Sequence, residues 1–163
     1  MKIYRDYVVA GDTNRCAHPL NPRSAVGTLV KRSTRYVLLL HLPEDHGTVA
    51  VEAAMRSAIL TLPSELARSI TWDQGSELAR HKEFTMATGI PIYFCDPHLP
   101  WQRGSNENTN GLLRQYLPKE TDLKNYTADD LKKIQRSLTG RPRKTLGYRM
   151  PEEKLSELVA LSS

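Results

Sequence analysis

Ile70-Thr71-Trp72-Asp73-Gln74-Gly75-Ser76-Glu77 and, further on, Pro100-Trp101-Gln102-Arg103-Gly104-Ser105-Asn106-Glu107-Asn108-Thr109-Asn110-Gly111 decide how this chain is read. The first is a short apolar run that ends on an acid and a turn. The second is a polar, glycine-containing approach to a helix with an acid in its first turn. Thirty-three residues lie between Asp73 and Glu107 (107 − 73 − 1). A strand that carries Asp73 to the end of a sheet, and a helix that swings Glu107 back over it, would bring the two carboxylates to one site. Hard oxygen ligands with no imidazole or thiolate at matching spacing suit Mg²⁺ or Mn²⁺, the ions used in in-line phosphoryl displacement.

Working outward, Tyr7-Val8-Val9, Ala25 to Val30 and Tyr36 to Leu40 read as strands, the last two joined by a polar turn as an antiparallel hairpin. Val51, Met55, Ile59 and Leu62 then recur at helical spacing between Thr48 and Leu62. Leu78 to Ala87 predicts a helix with Gly89 at its C′ position. Ile90 to Phe94 predicts a strand, in which Pro91 marks an edge or a strand start. A helix is expected over Asn106 to Tyr116, capped by Ser105 and closed by Pro118. On it Glu107, Asn110, Gly111 and Arg114 fall on one polar face, with Leu112, Leu113 and Tyr116 left to pack. Gly111 is expected where a side chain would crowd a site. Further helices are expected from Thr127 and from Pro151, the latter as an N1 proline. Three strands followed by strand–helix alternation give a mixed α/β sheet with helices on both faces.

The chain has 163 residues, enough for one domain with a real core. The net charge of +5 is uneven. Residues 1–100 hold 11 basic and 10 acidic side chains, residues 101–149 hold 11 and 5, and residues 150–163 hold 1 and 3. The basic segment after Trp101 fits a phosphate-backbone partner, or else a solvated face with scattered lysines. Arg103, Asn106, Asn110, Arg114, Arg141, Arg143 and Lys144 are the candidate DNA contacts. Two cysteines, Cys16 and Cys95, suit a reducing compartment. With His18 and His98 they lack zinc-finger spacing. No apolar run reaches the length of a membrane span, so a cytoplasmic, nucleoid-associated protein is expected.

Together the Trp72-to-Glu77 run, Cys95-Asp96-Pro97-His98 and Trp101-to-Tyr116 resemble the catalytic domain of DDE transposases of the insertion sequence thirty family. The resemblance covers about Arg23 to Leu158 and implies a single integrase-core domain over residues 1–163 with a ribonuclease-H-like, five-stranded mixed sheet. It implies DNA transposition by metal-dependent cleavage and strand transfer at insertion-element ends, on element and target DNA, by a homo-oligomer. It also implies a third acid on the opening strand. Asp6, within Asp6-Tyr7-Val8-Val9, has the right local context, and Asp12 is the alternative at nearer spacing. The family's N-terminal helix-turn-helix region has no counterpart in the sequence, and a truncated, inactive remnant that at most binds DNA is the alternative function.

Overall fold

The computed structural model describes residues 7–9, 24–44, 47–72, 80–94, 104–118 and 121–162, with the backbone alone at 7–9, 65, 104–107 and 162. The strands are β1 (Tyr7–Val9), β2 (Ala25–Lys31), β3 (Val37–Leu42), β4 (Ile70–Trp72) and β5 (Ile92–Phe94). They are ordered β3-β2-β1-β4-β5. β3–β2 and β2–β1 pair antiparallel, while β1–β4 and β4–β5 pair parallel. The helices are α1 (Thr48–Ile59), α2 (His81–Thr88), α3 (Gly104–Leu113), α4 (Ala128–Thr139) and α5 (Pro151–Ser162). This is the mixed α/β order that the strand and helix periodicities predict.

Strand alternation sorts the side chains into two cores. Ala25 and Leu29 of β2, with Leu38, Leu40 and Leu42 of β3 and Ile70 and Trp72 of β4, meet Val51, Met55 and Ile59 of α1 and Phe84 of α2. Val26 and Val30 of β2 and Val37 of β3 point the other way, onto Leu113, Leu117, Leu123, Leu131 and Leu138. β2 is therefore covered on both faces and buried along its whole length, which accounts for apolar residues on both of its faces. Gly27 on β2 admits the Leu40 side chain of β3, since a Cβ there would lie 3.0 Å from Leu40 Cδ1.

At the far end of β2, Lys31 is buried, and its Nζ donates to the carbonyl of Leu66 at 2.7 Å. This ties β2 to the short 3₁₀ turn Ser64–Leu66 that precedes β4. The outer strand β3 has its Leu39 N–H taken by Oε1 of Gln135 in α4 at 3.0 Å. Gln135 also bonds the side chain of Tyr36.

The helix ends follow the residues expected of them. Gly89 closes α2 in the left-handed conformation (φ 73°), where a Cβ would be disfavoured. Thr127 and Asp130 form a reciprocal capping box at the start of α4. Pro151 is the first residue of α5. Among the described residues no helix is long and apolar enough to cross a membrane.

Candidate active site

The sheet register locates the end at which a site can form. Val9 is paired with Leu29 on one side and with Trp72 on the other. Thr28, the neighbour of Leu29 in the direction in which β4 runs, therefore stands one rung beyond Trp72, the level at which the chain passes into Asp73.

At that rung α3 is tied to the sheet. Thr28 is buried, and its Oγ1 donates to Oδ1 of Asn110 at 2.9 Å. Thr109, Leu113 and Leu117, spaced four residues apart, are buried with it. The buried stripe of α3 thus runs through Thr109 and Leu113, with the half-buried Asn110 at its edge. The carboxamide is accommodated because a strand hydroxyl faces it, which avoids the cost of an unpaired buried polar group.

This corrects part of the face expected for α3. Asn110 points to the sheet instead of lining an open polar stripe. Gly111 is exposed, and a Cβ there would meet nothing within 4 Å among the described residues, so its absence of a side chain does not relieve crowding. α3 runs from Gly104 to Leu113, and the chain then tightens through Arg114 to Tyr116 with i→i−3 bonds from Gln115 to Leu112 and from Tyr116 to Leu113. Arg114 is half-buried, and its Nη1 has no hydrogen-bond partner among the described residues.

Of the candidate acids, Asp6, Asp12 and Asp73 lie outside the described residues, as does Arg103. Glu107 and Asn106 lie on the α3 backbone, one turn or so before Asn110, and their side chains are outside the described set. The cysteine and histidine residues Cys16, His18, Cys95 and His98 are outside it as well.

The basic candidates near the C-terminal end divide by environment. Arg141 lies over the Tyr116 ring, with Cζ 5.2 Å from its centroid, and its Nη1 donates to Gln115 Oε1 at 2.8 Å. Arg143 is half-buried, and its Nη2 donates to the Leu138 carbonyl at 3.0 Å, near the end of α4. Burial first, then the neighbouring charges of Arg141 and Arg35, hold its guanidinium below the ordinary arginine range. Arg143 is therefore a tie between α4 and the following loop, while Lys144 is exposed. Sequence reasoning missed Thr28 and the Gln115–Tyr116 seat of Arg141. The lone hydroxyl between Val26 and Val30 on β2 was the signal for the first.

Comparison with known proteins puts these features in context. Residues 5–100 match the family described as "Integrase core domain". The chain is 52% identical over 139 residues to the transposase InsI for insertion sequence element IS30C of Escherichia coli (strain K12), covering 85% of this chain and 36% of that protein. It is 51% identical over 138 residues to the transposase for insertion sequence element IS1086 of Cupriavidus metallidurans, covering 40% of it. It is 38% identical over 143 residues to the transposase for insertion sequence element IS4351 of Bacteroides fragilis, covering 43% of it. The chain thus spans well under half the length of these curated relatives. Among solved structures it is similar to the catalytic core domain of BIV integrase, with a TM-score of 0.66 at 16% identity, over 96% of this chain and 98% of that one. The shared fold is the ribonuclease-H-like arrangement implied by the sequence resemblance.

Proposed function

The chain belongs to the integrase core family, and from that premise we propose that it performs DNA transposition by metal-dependent phosphodiester cleavage and strand transfer at insertion-element ends. The observation that carries this reading is the Thr28–Asn110 bond one rung beyond the end of β4. It holds α3 against the sheet end into which Asp73 emerges. Glu107 precedes Asn110 by three residues, roughly 4.5 Å along the helix axis. That placement supports joint reach of the two carboxylates, and the five paired strands support one ribonuclease-H-like sheet.

The donor set fits Mg²⁺ or Mn²⁺: Asp73, Glu107 and a first-strand acid offer hard oxygens and no sulfur. When bound, the divalent ions supply Lewis acidity and a deprotonated oxygen nucleophile. The first-strand acid in this reading is Asp6, in its Asp6-Tyr7-Val8-Val9 context, with Asp12 as the alternative.

The chemistry is in-line displacement at phosphorus. A water oxygen forms the new P–O bond as a strand oxygen leaves, and a freed DNA 3′-hydroxyl then repeats the displacement on target DNA. Arg103, Asn106, Lys144 and the accessible side of Arg141 would hold phosphates and so fix the strand's position. Arg114 would complete that row at the end of α3. Asn110, by contrast, acts through its bond to Thr28 as a positioning residue. The partners in this reading are element-end and target DNA, with copies of the chain assembled on them in the nucleoid.

The test is Mn²⁺-dependent cleavage and strand transfer on element-end DNA, with Asp73→Asn, Glu107→Gln, Asp6→Asn and Asp12→Asn as separate variants. Loss of both steps in the Asp73 and Glu107 variants and in Asp6→Asn is the expected result, and loss in Asp12→Asn with Asp6→Asn active would assign the first-strand acid to Asp12. DNA binding by every version with cutting by none would instead identify a non-catalytic remnant. Cleavage without joining would identify a nuclease.

A further inference from the structure

Two non-glycine residues among those described have positive φ, Arg35 (60°) and Tyr148 (62°). Tyr148 combines this with 71% exposure of an aromatic side chain. A left-handed backbone is disfavoured for a bulky residue, and glycine adopts it without cost. Here the preceding Gly147 already has φ 62°, so the sequence places tyrosine where a second glycine would suit the turn better. The ring, standing mostly in solvent, gives little packing in return.

The turn beneath it is pinned on both sides. Arg143 N–H donates to the Arg149 carbonyl at 3.0 Å, and Tyr148 N–H donates to the Arg143 carbonyl at 2.9 Å. Arg143 is held in turn by the Leu138 carbonyl. On the other side the Arg149 guanidinium is bonded to Glu157 and lies 4.0 Å from Glu153, both on α5. Residues 140–149 contain four basic side chains and no acid. A strained, rigid turn that presents a flat aromatic face inside a cationic segment serves a ligand rather than the fold.

We propose that Tyr148 is a stacking platform for an unpaired base of a DNA strand whose phosphates are drawn by Arg141 and Lys144. An aromatic face recognises any base, and phosphate attraction supplies the rest of the affinity. Bases in an intact duplex are already stacked, so the ligand is single-stranded or locally opened DNA. This inference rests on the DNA reading above but concerns a residue to which that reading gives no role.

The decisive variant is Tyr148→Gly, which removes the ring and relieves the backbone, with Tyr148→Asn as a second residue tolerant of positive φ. Binding of an oligothymidylate and of a duplex of equal length is read by fluorescence anisotropy at fixed salt, alongside thermal unfolding. The expected result is single-strand affinity about 5- to 150-fold weaker in both variants, the per-base stacking range expressed as a ratio. Duplex affinity stays as in the parent, the unfolding temperature of Tyr148→Gly is equal or higher, and Tyr148→Phe binds as the parent does. Photo-crosslinking of 5-bromodeoxyuridine to Tyr148 would add direct support. Unchanged single-strand affinity in Tyr148→Gly and Tyr148→Asn, with the parent binding DNA, overturns this inference alone. A parent chain that binds neither form of DNA overturns it together with the proposed function.

Discussion

Thr28→Val tests the link between the sheet and the helix that carries Glu107. Valine keeps the β-branched shape, so no cavity forms, and only the hydroxyl of a residue 1% exposed is lost. Asn110 Oδ1, which accepts that hydroxyl at 2.9 Å, is left without its donor. Stranding a fully buried acceptor costs about 1–3 kcal/mol; for the half-buried Asn110 the lower part of that range, about 1–2 kcal/mol, is expected, or roughly a 2–8 °C fall in Tm for a chain of this size. Asn110→Leu strands the Thr28 hydroxyl and should cost a similar amount. The double variant replaces a polar pair with an apolar one and should fall well short of the sum, with a coupling of about 0.5–3 kcal/mol. Urea unfolding of the four chains measures this directly. Mn²⁺-dependent cleavage by the same chains measures the functional side: a displacement of α3 of about 1 Å is enough to slow in-line chemistry roughly 100-fold. Additive stability losses with a full cleavage rate in Thr28→Val would refute the claim that this bond sets the helix over the site.

Other perturbations follow from the same contacts. Gly27→Ala sets a Cβ 3.0–3.3 Å from three atoms of Leu40, and crowding of that kind costs about 1–3 kcal/mol, read as a lower urea midpoint. Thr127→Ala removes the capping-box hydroxyl that accepts from Asp130 N–H at 3.2 Å, with an expected loss of about 0.5–2 kcal/mol by thermal unfolding. The Asp130 carboxyl is held below its ordinary value of 3.8, first by the Thr127 backbone N–H and then by the Thr127 side chain. Its contribution is therefore complete above the unfolded value and lost as pH falls through the lower folded one, so Asp130→Asn should flatten the stability profile below about pH 4. Mn²⁺ at 100 times its dissociation constant should stabilise the parent by about 2.7 kcal/mol. That thermal shift should vanish in Asp73→Asn whether or not DNA is present.

The elements were legible where one residue type has one physical reason to be there. Gly89, Pro91, Thr127 and Pro151 mark ends, and each stands at the end expected of it. Helices on both faces of the sheet were legible as well, because β2 is apolar on both faces apart from Thr28 and Lys31 and α1 carries one stripe. What the linear pattern could not give was the orientation of α3. Read alone, Asn110 belongs with the polar residues around it, and only the Thr28 hydroxyl, 82 positions away, turns its half-buried side chain to the sheet. Gly111 misled for the same reason: its neighbours across space were unknown, and it proves to face open solvent. Arg143 was legible as basic but not as half-buried, since its carbonyl partner at Leu138 depends on how the loop folds back on α4.

Gln135 has a consequence for how molecules of this protein meet. By occupying the Leu39 amide midway along the outermost strand, a side chain of the same molecule fills the central rung that an extended segment from elsewhere would need. A second molecule adding itself there would first have to evict that carboxamide and break its bond to Tyr36. Fibre-like growth by sheet extension is thereby obstructed at this rim.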